Sequence, residues 1–60
     1  MRIKLEIKMD SAAFEDDWRQ ETARILTHAG ALLRNLAEPG DVTSLHDSNG
    51  NKVGDIGLEK

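Results

Sequence analysis

The first nine residues alternate strictly between apolar and charged side chains. The apolar positions are Met1, Ile3, Leu5, Ile7 and Met9, and the charged positions between them are Arg2, Lys4, Glu6 and Lys8. Because neighbouring side chains of a strand point to opposite faces, this period of two predicts a strand over residues 1–9 with one buried face. The charged face is expected to meet solvent, and the free edge of the strand is available to another chain.

Apolar residues recur at helical spacing in the middle of the chain. The stripe consists of Trp18, Thr22, Ile25, Ala29, Leu32 and Leu36, with Leu26 and Leu33 at its border. These steps of three and four residues predict an amphipathic helix over about residues 17–37, with Asp17 as its N-cap and Gln20 three residues later. Pro39 and Gly40 are expected to end the helix.

Gly30 and Ser11 each have an expected structural role in or near this helix. Gly30 lies inside it at a cost of about 1 kcal/mol relative to Ala, so we expect a close approach of the helix to the sheet at this position. Ser11 is a candidate cap for a separate short turn ahead of the helix. That turn would hold Phe14.

The last third of the chain has the pattern of a β-hairpin. Strands over about residues 42–47 and 52–58 flank Ser48-Asn49-Gly50, and Asn-Gly is a strong turn signal. A three-residue loop with its Gly in the left-handed region would place Leu45 opposite Val53. Apolar residues later in the second strand are out of phase with Val53, so we expect a β-bulge near residues 54–55.

The order β-α-β-β indicates one α+β domain over residues 1–60. A right-handed crossover makes the first and second strands run in the same direction, and the third strand can then lie between them. The prediction is a two-layer fold with a three-stranded antiparallel sheet in the order 1-3-2 and one helix on one face.

Composition narrows the functional classes. The chain has 60 residues, a net charge of −3 and no cysteine. A chain this short buries only about 60% of its unfolded surface, so docking to a partner or self-association as a homodimer is a reasonable expectation. Direct nucleic-acid binding needs a basic footprint, so the acidic net charge argues against it. No apolar run has the length of a membrane span or the flanks of a signal peptide. We expect a cytoplasmic protein of a bacterial host cell, either monomeric or dimeric.

An acidic run is the most distinctive surface feature of the chain. Asp10, Glu15, Asp16, Asp17 and Glu21 stand against one base, Arg19, which gives a local charge of −4. Carboxylates at a helix start are stabilised by the helix dipole, which explains Asp16, Asp17 and Glu21. Asp10 and Glu15 exceed that need, and Trp18 lies among them as a candidate interface anchor. The alternative interpretation is therefore a binding surface for a basic protein.

No residue pattern in the chain indicates an active site, a cofactor site or a metal site. Paired carboxylates need a pocket that separates their pKa values, and one helix on three strands offers no such cleft. Residues 47, 49 and 51 have the spacing of a calcium loop, but Lys52 stands in place of the required Gly, so turn formation explains them. His28 and His46 have no second ligand at metal spacing.

Several segments resemble a group of short proteins found in phages, prophages and other mobile elements of bacteria. The likeness spans nearly the whole chain and is most specific at AAFED before the helix and DSNGNKVG in the hairpin. Most members of the group have no assigned function. Small acidic proteins of this kind include anti-CRISPR proteins, which block nucleic-acid-binding surfaces of effector complexes.

The leading functional prediction is thus a non-enzymatic inhibitor that binds a basic surface of a partner protein, such as a CRISPR effector complex. Its predicted contact residues are Asp10, Glu15, Asp16, Asp17, Trp18 and Glu21. The alternative is a small structural or regulatory phage protein that acts as a homo-oligomer through its open sheet or exposed helical stripe.

Overall fold

The computed structural model describes residues 1–60 and contains three strands and one helix. The elements are β1 (Arg2–Ile7), a 3-10 turn (Ala12–Phe14), α1 (Trp18–Leu32), a second 3-10 turn (Leu33–Asn35), β2 (Val42–His46) and β3 (Lys52–Glu59). The strands form one antiparallel sheet in the order β1-β3-β2. The predicted α+β fold and its strand order are confirmed.

The start of α1 is fixed by Asp17. Its carboxylate accepts hydrogen bonds from the backbone N–H groups of Arg19 at 3.1 Å and Gln20 at 3.3 Å. This arrangement satisfies donors that have no partner inside the helix, as expected for an N-cap. At the other end the helix tightens into the second 3-10 turn, and Leu36 is already extended with φ −102° and ψ 115°. The helix therefore ends earlier than the predicted residue 37.

Asp41 holds the crossover between α1 and β2. Its carboxylate accepts hydrogen bonds from the backbone N–H groups of Ala37 at 2.8 Å and Glu38 at 3.1 Å. These two donors, led by Ala37, hold the pKa of Asp41 below its ordinary value of 3.8. The backbone of Asp41 also bonds to Leu58 of β3, since the Leu58 N–H donates to the Asp41 carbonyl at 3.0 Å.

The core lies between α1 and the half of the sheet formed by β2 and β3. Its buried members are Phe14, Ile25, Ala29, Leu45, Val53 and Ile56. The helix packs against β2 and the first 3-10 turn more than against β1. As a result Ile3 is 48% exposed and Leu5 36% exposed, and Ile7 alone on β1 packs against the core. The prediction of a buried apolar face along the whole first strand is wrong for this reason.

The hairpin contains a β-bulge, one residue earlier than predicted. Leu45 pairs with Gly54 and His46 pairs with Lys52, so Val53 is the extra residue on β3. The predicted pairing of Leu45 with Val53 is therefore wrong. The bulge lets Val53 and Ile56 face the same side of the sheet, toward the core.

Two glycines have opposite environments. A Cβ atom on Gly54 would overlap the Glu6 carbonyl oxygen and would lie 2.8 Å from the carbonyl carbon, so β1 and β3 approach closely only because this residue has no side chain. Gly30 is exposed and a Cβ atom there would meet nothing within 4 Å. The predicted close approach at Gly30 is wrong, because that side of α1 faces solvent.

Candidate protein-binding surface

The loop of the hairpin is built around the buried carboxylate of Asp47, which is only 4% exposed. One carboxylate oxygen accepts hydrogen bonds from the backbone N–H groups of Asn49 and Asn51, both at 2.9 Å. The other oxygen accepts a hydrogen bond from the Ser11 hydroxyl at 2.7 Å. Gly50 adopts a positive φ of 86° in this turn. The Asx-type turn expected from the sequence is present, and it also ties the hairpin to the segment before α1.

Ser11 does not cap its own turn through its side chain. Its hydroxyl instead makes the largest contribution to lowering the pKa of Asp47 below the ordinary value of 3.8. The backbone N–H groups of Asn51 and Asn49 act in the same direction, and together these donors outweigh the effect of burial. The carboxylate is therefore held in its charged form by the loop that it organises.

Glu21 points into the protein and is 8% exposed. Its carboxylate accepts a hydrogen bond from the backbone N–H of Ser48 at 2.8 Å and pairs with the Arg24 guanidinium at 3.0 Å. The same guanidinium donates to the His46 carbonyl at 3.2 Å. Arg24 makes the largest contribution to lowering the pKa of Glu21 below its ordinary value of 4.5.

The position of Glu21 separates it from the other acidic residues predicted to bind a partner. Its hydrogen bond with Ser48 joins α1 to the hairpin loop, and its ion-pair partner Arg24 bonds to His46 at the end of β2. A carboxylate with a backbone donor and an arginine as internal partners has a structural role in this fold. The sequence predicted Glu21 as a contact residue from its place in the acidic run. Spacing along α1 does not show which side of the helix the hairpin loop covers.

The remaining acidic residues of the run face solvent. Asp10, Glu15 and Asp16 are exposed, and their side chains make no hydrogen bond or ion pair within the protein. Asp17 is exposed as well, although it also serves as the N-cap. These carboxylates flank the first 3-10 turn and the start of α1, so one connected segment presents them.

Trp18 lies among these carboxylates with half of its surface exposed, at 51%. The Arg19 guanidinium lies over its ring, 5.4 Å from the centroid, in the range of a cation–π contact. Trp18 begins the apolar stripe in the sequence, yet it lies one turn beyond the buried part of α1, which starts at Glu21. We use the name acidic surface for Asp10, Glu15, Asp16, Asp17 and Trp18.

Two surface depressions have mixed charge. The larger, of about 480 Å³, borders the acidic surface at Asp10 and is lined also by Lys8, Ser11 and Lys52. The other, of about 360 Å³, lies on the outer sheet face between Lys4 and residues of β3. Ammonium and carboxylate groups in such open places can bind polar groups of a partner, but neither depression joins a nucleophile to a histidine base.

Other candidate chemistry is not assembled by the fold. No group of three or more His, Cys, Asp or Glu side chains is placed to hold a metal ion. His28 and His46 are both exposed. Neither α1 nor any other helix has the length and apolar character needed to cross a bilayer. No protein-family model matches the chain, and neither a curated protein nor a solved structure shows significant similarity to it.

Proposed function

We propose that this chain is a non-enzymatic protein-binding domain that docks its acidic surface onto a basic surface of a partner protein. The observation that carries the proposal is that Trp18 is half-exposed among the carboxylates of Asp10, Glu15 and Asp16, which have no internal partner. Tryptophan is enriched among the residues that dominate binding energy, and surrounding charges determine partner choice and association rate.

The chemistry of this surface favours a particular class of partner. Carboxylates spaced along one segment can occupy the places where phosphates would otherwise bind to Lys and Arg side chains. A nucleic-acid-binding groove of a bacterial defence effector presents such Lys and Arg side chains. A phage or mobile element that encodes the protein would thereby inhibit the effector, as an anti-CRISPR protein does.

Asp17 is not a suitable residue for testing this proposal. Asp17 both faces solvent and caps α1, so its replacement would change stability and binding together. Asp16 is exposed, and its side chain makes no hydrogen bond or ion pair within the protein. Glu38 is an exposed carboxylate outside the acidic surface and serves as a control.

Asp16→Lys is expected to reduce partner capture from the bacterial lysate by about tenfold, because it replaces an attraction with a repulsion at a basic interface. The melting temperature should fall by no more than about 8 °C, since the interaction of a carboxylate with the helix dipole is worth about 0.3–1 kcal/mol, and the domain stays folded during capture. Quantitative mass spectrometry of proteins captured by the immobilised domain gives the binding measurement.

Glu38→Lys makes the same change in net charge and should retain capture. If both variants lose the partner equally, the effect comes from net charge and not from the acidic surface. If Asp16→Lys captures as well as the unmodified protein, the acidic surface has no part in binding.

A further inference from the structure

The outer edge of β1 has backbone groups that no part of the chain pairs with. β1 is an edge strand, because β3 lies between it and β2. The Lys8 N–H donates to the Val53 carbonyl at 2.7 Å, toward β3. Backbone groups alternate in direction along an antiparallel strand, so the even-numbered residues of β1 face β3 and the odd-numbered residues face outward.

Contacts on the far side of β3 give the same assignment. The Leu58 N–H donates to the Asp41 carbonyl at 3.0 Å, away from β1. Ile3 is the pairing partner of Leu58, so the two form a non-hydrogen-bonded pair. The N–H and C=O groups of Ile3, Leu5 and Ile7 therefore point out of the sheet edge, over a strand with no bulge in its pairing.

We propose that a second copy of this chain pairs with this edge in antiparallel orientation, with the two-fold axis at Leu5. Leu5 then lies opposite Leu5 of the second copy, and Ile3 lies opposite Ile7. These pairs form about six interchain hydrogen bonds and join the two sheets into one sheet of six strands. The residues used lie outside the acidic surface, so this interface is independent of the proposed function.

The extent of β1 and the charges beside the axis favour this register, because only an axis at Leu5 pairs all three outward-facing residues of β1 with one another. With the axis at Leu5, Lys4 of each copy faces Glu6 of the other, and oppositely charged pairs across strands are favourable. An axis at Lys4 or at Glu6 would leave Ile7 or Ile3 without a partner inside β1 and would place two identical charges directly opposite each other, although the Lys4 axis would also bring Arg2 opposite Glu6. At the ends of the favoured register Arg2 faces Lys8, which is a pair of like charges. The ion pair of Arg2 with Glu59 of its own copy, at 3.0 Å, offsets the charge of Arg2.

The apolar surface beside this edge supports the same occupant. Ile3 and Leu5 are half-exposed on the side of the sheet that carries α1. The Thr22 hydroxyl lies 3.5 Å from the sulfur of Met9, which places this flank of α1 on the side of β1. Leu26 and Leu33 follow on that flank and are exposed too. Pairing would bring these apolar groups of two copies together, and a domain of this size gains most from such burial.

Sedimentation velocity of the unmodified protein is expected to show a reversible dimer between about 10 µM and 1 mM. Lys4→Glu and Glu6→Lys should each weaken the dimer about tenfold, because each creates two like-charge pairs across the axis. The double variant Lys4→Glu/Glu6→Lys restores opposite charges and should return the dissociation constant to within about threefold of the original. Lys52→Glu matches the charge change of Lys4→Glu away from the edge and should leave the dimer unchanged.

Hydrogen exchange in the unmodified protein gives a test that depends on no variant. The amides of Ile3, Leu5 and Ile7 should exchange at least about tenfold more slowly at high than at low protein concentration. A protein that remains monomeric over the whole range overturns the proposal. So does a dimer that is insensitive to both single charge reversals, or one that protects other amides instead of these three.

Discussion

Gly54→Ala is expected to unfold the domain at room temperature. The new methyl group would overlap the Glu6 carbonyl oxygen and would lie 3.0 Å from the Cα atom of Ile7, and both are backbone atoms that cannot rotate away. β1 would have to separate from β3. We expect a cost of at least about 3 kcal/mol, which approaches the whole stability of a core of this size at about 3–5 kcal/mol.

Gly30→Ala is the matched control for this substitution. Gly30 lies in α1 with nothing within 4 Å of the position of the added atom, so Ala should stabilise the protein by about 0.5–1 kcal/mol. Thermal unfolding followed by circular dichroism measures both variants. A Gly54→Ala protein that melts within a few degrees of the original would show that β1 and β3 do not approach closely at Gly54.

Asp47→Ala is expected to lower the melting temperature by about 10 °C or more, because several donors lose their acceptor at once. The backbone N–H groups of Asn49 and Asn51 and the Ser11 hydroxyl all donate to this one buried carboxylate. Its loss therefore loosens the hairpin loop and also detaches the segment before α1.

Asp16→Ala is the control for Asp47→Ala, since it removes a carboxylate that has no hydrogen bond within the protein. Its melting temperature should stay within about 3 °C of the original. Equal losses in the two variants would contradict the division of the acidic residues into buried structural groups and exposed ones.

The same hydrogen bonds make stability depend on pH. The pKa values of Glu21, Asp41 and Asp47 are lowered in the folded protein from ordinary values of 4.5, 3.8 and 3.8. The unfolded chain therefore binds more protons than the folded one as the pH drops, so their contribution is present above the ordinary values and is lost as pH falls through the folded ones. Thermal unfolding should show a falling melting temperature below about pH 5, with a shallower fall for Asp47→Asn.

The type of each element could be predicted from the sequence because it depends on local patterns. The strand order could be predicted because few orders are compatible with these elements. Strict alternation, the Asp17 cap and the Asn-Gly turn each specify their own segment, and the right-handed crossover leaves few topologies. A bulge in β3 was also predictable, since the apolar residues Val53 and Ile56 are three positions apart, but it lies one residue earlier than predicted.

The predictions that were wrong, for β1 and for Glu21, depend on where α1 lies across the sheet. Helical periodicity shows which residues share a stripe, but it does not show which strands that stripe covers. α1 packs toward β2, so Leu5 on β1 is left partly exposed and Glu21 meets the hairpin loop. Spacing alone could not separate Glu21 from the exposed carboxylates, because the Ser48 N–H that binds it is distant in the sequence.

Trp18 is the single tryptophan of the chain, and this makes it the most direct probe of the proposed binding surface. The protein labelled with 5-fluorotryptophan gives one fluorine resonance, measured with and without the captured partner. We predict that the resonance shifts and loses its sensitivity to D₂O on binding, because the half-exposed ring becomes covered. A complex in which the resonance and its solvent sensitivity are unchanged would contradict docking through the acidic surface.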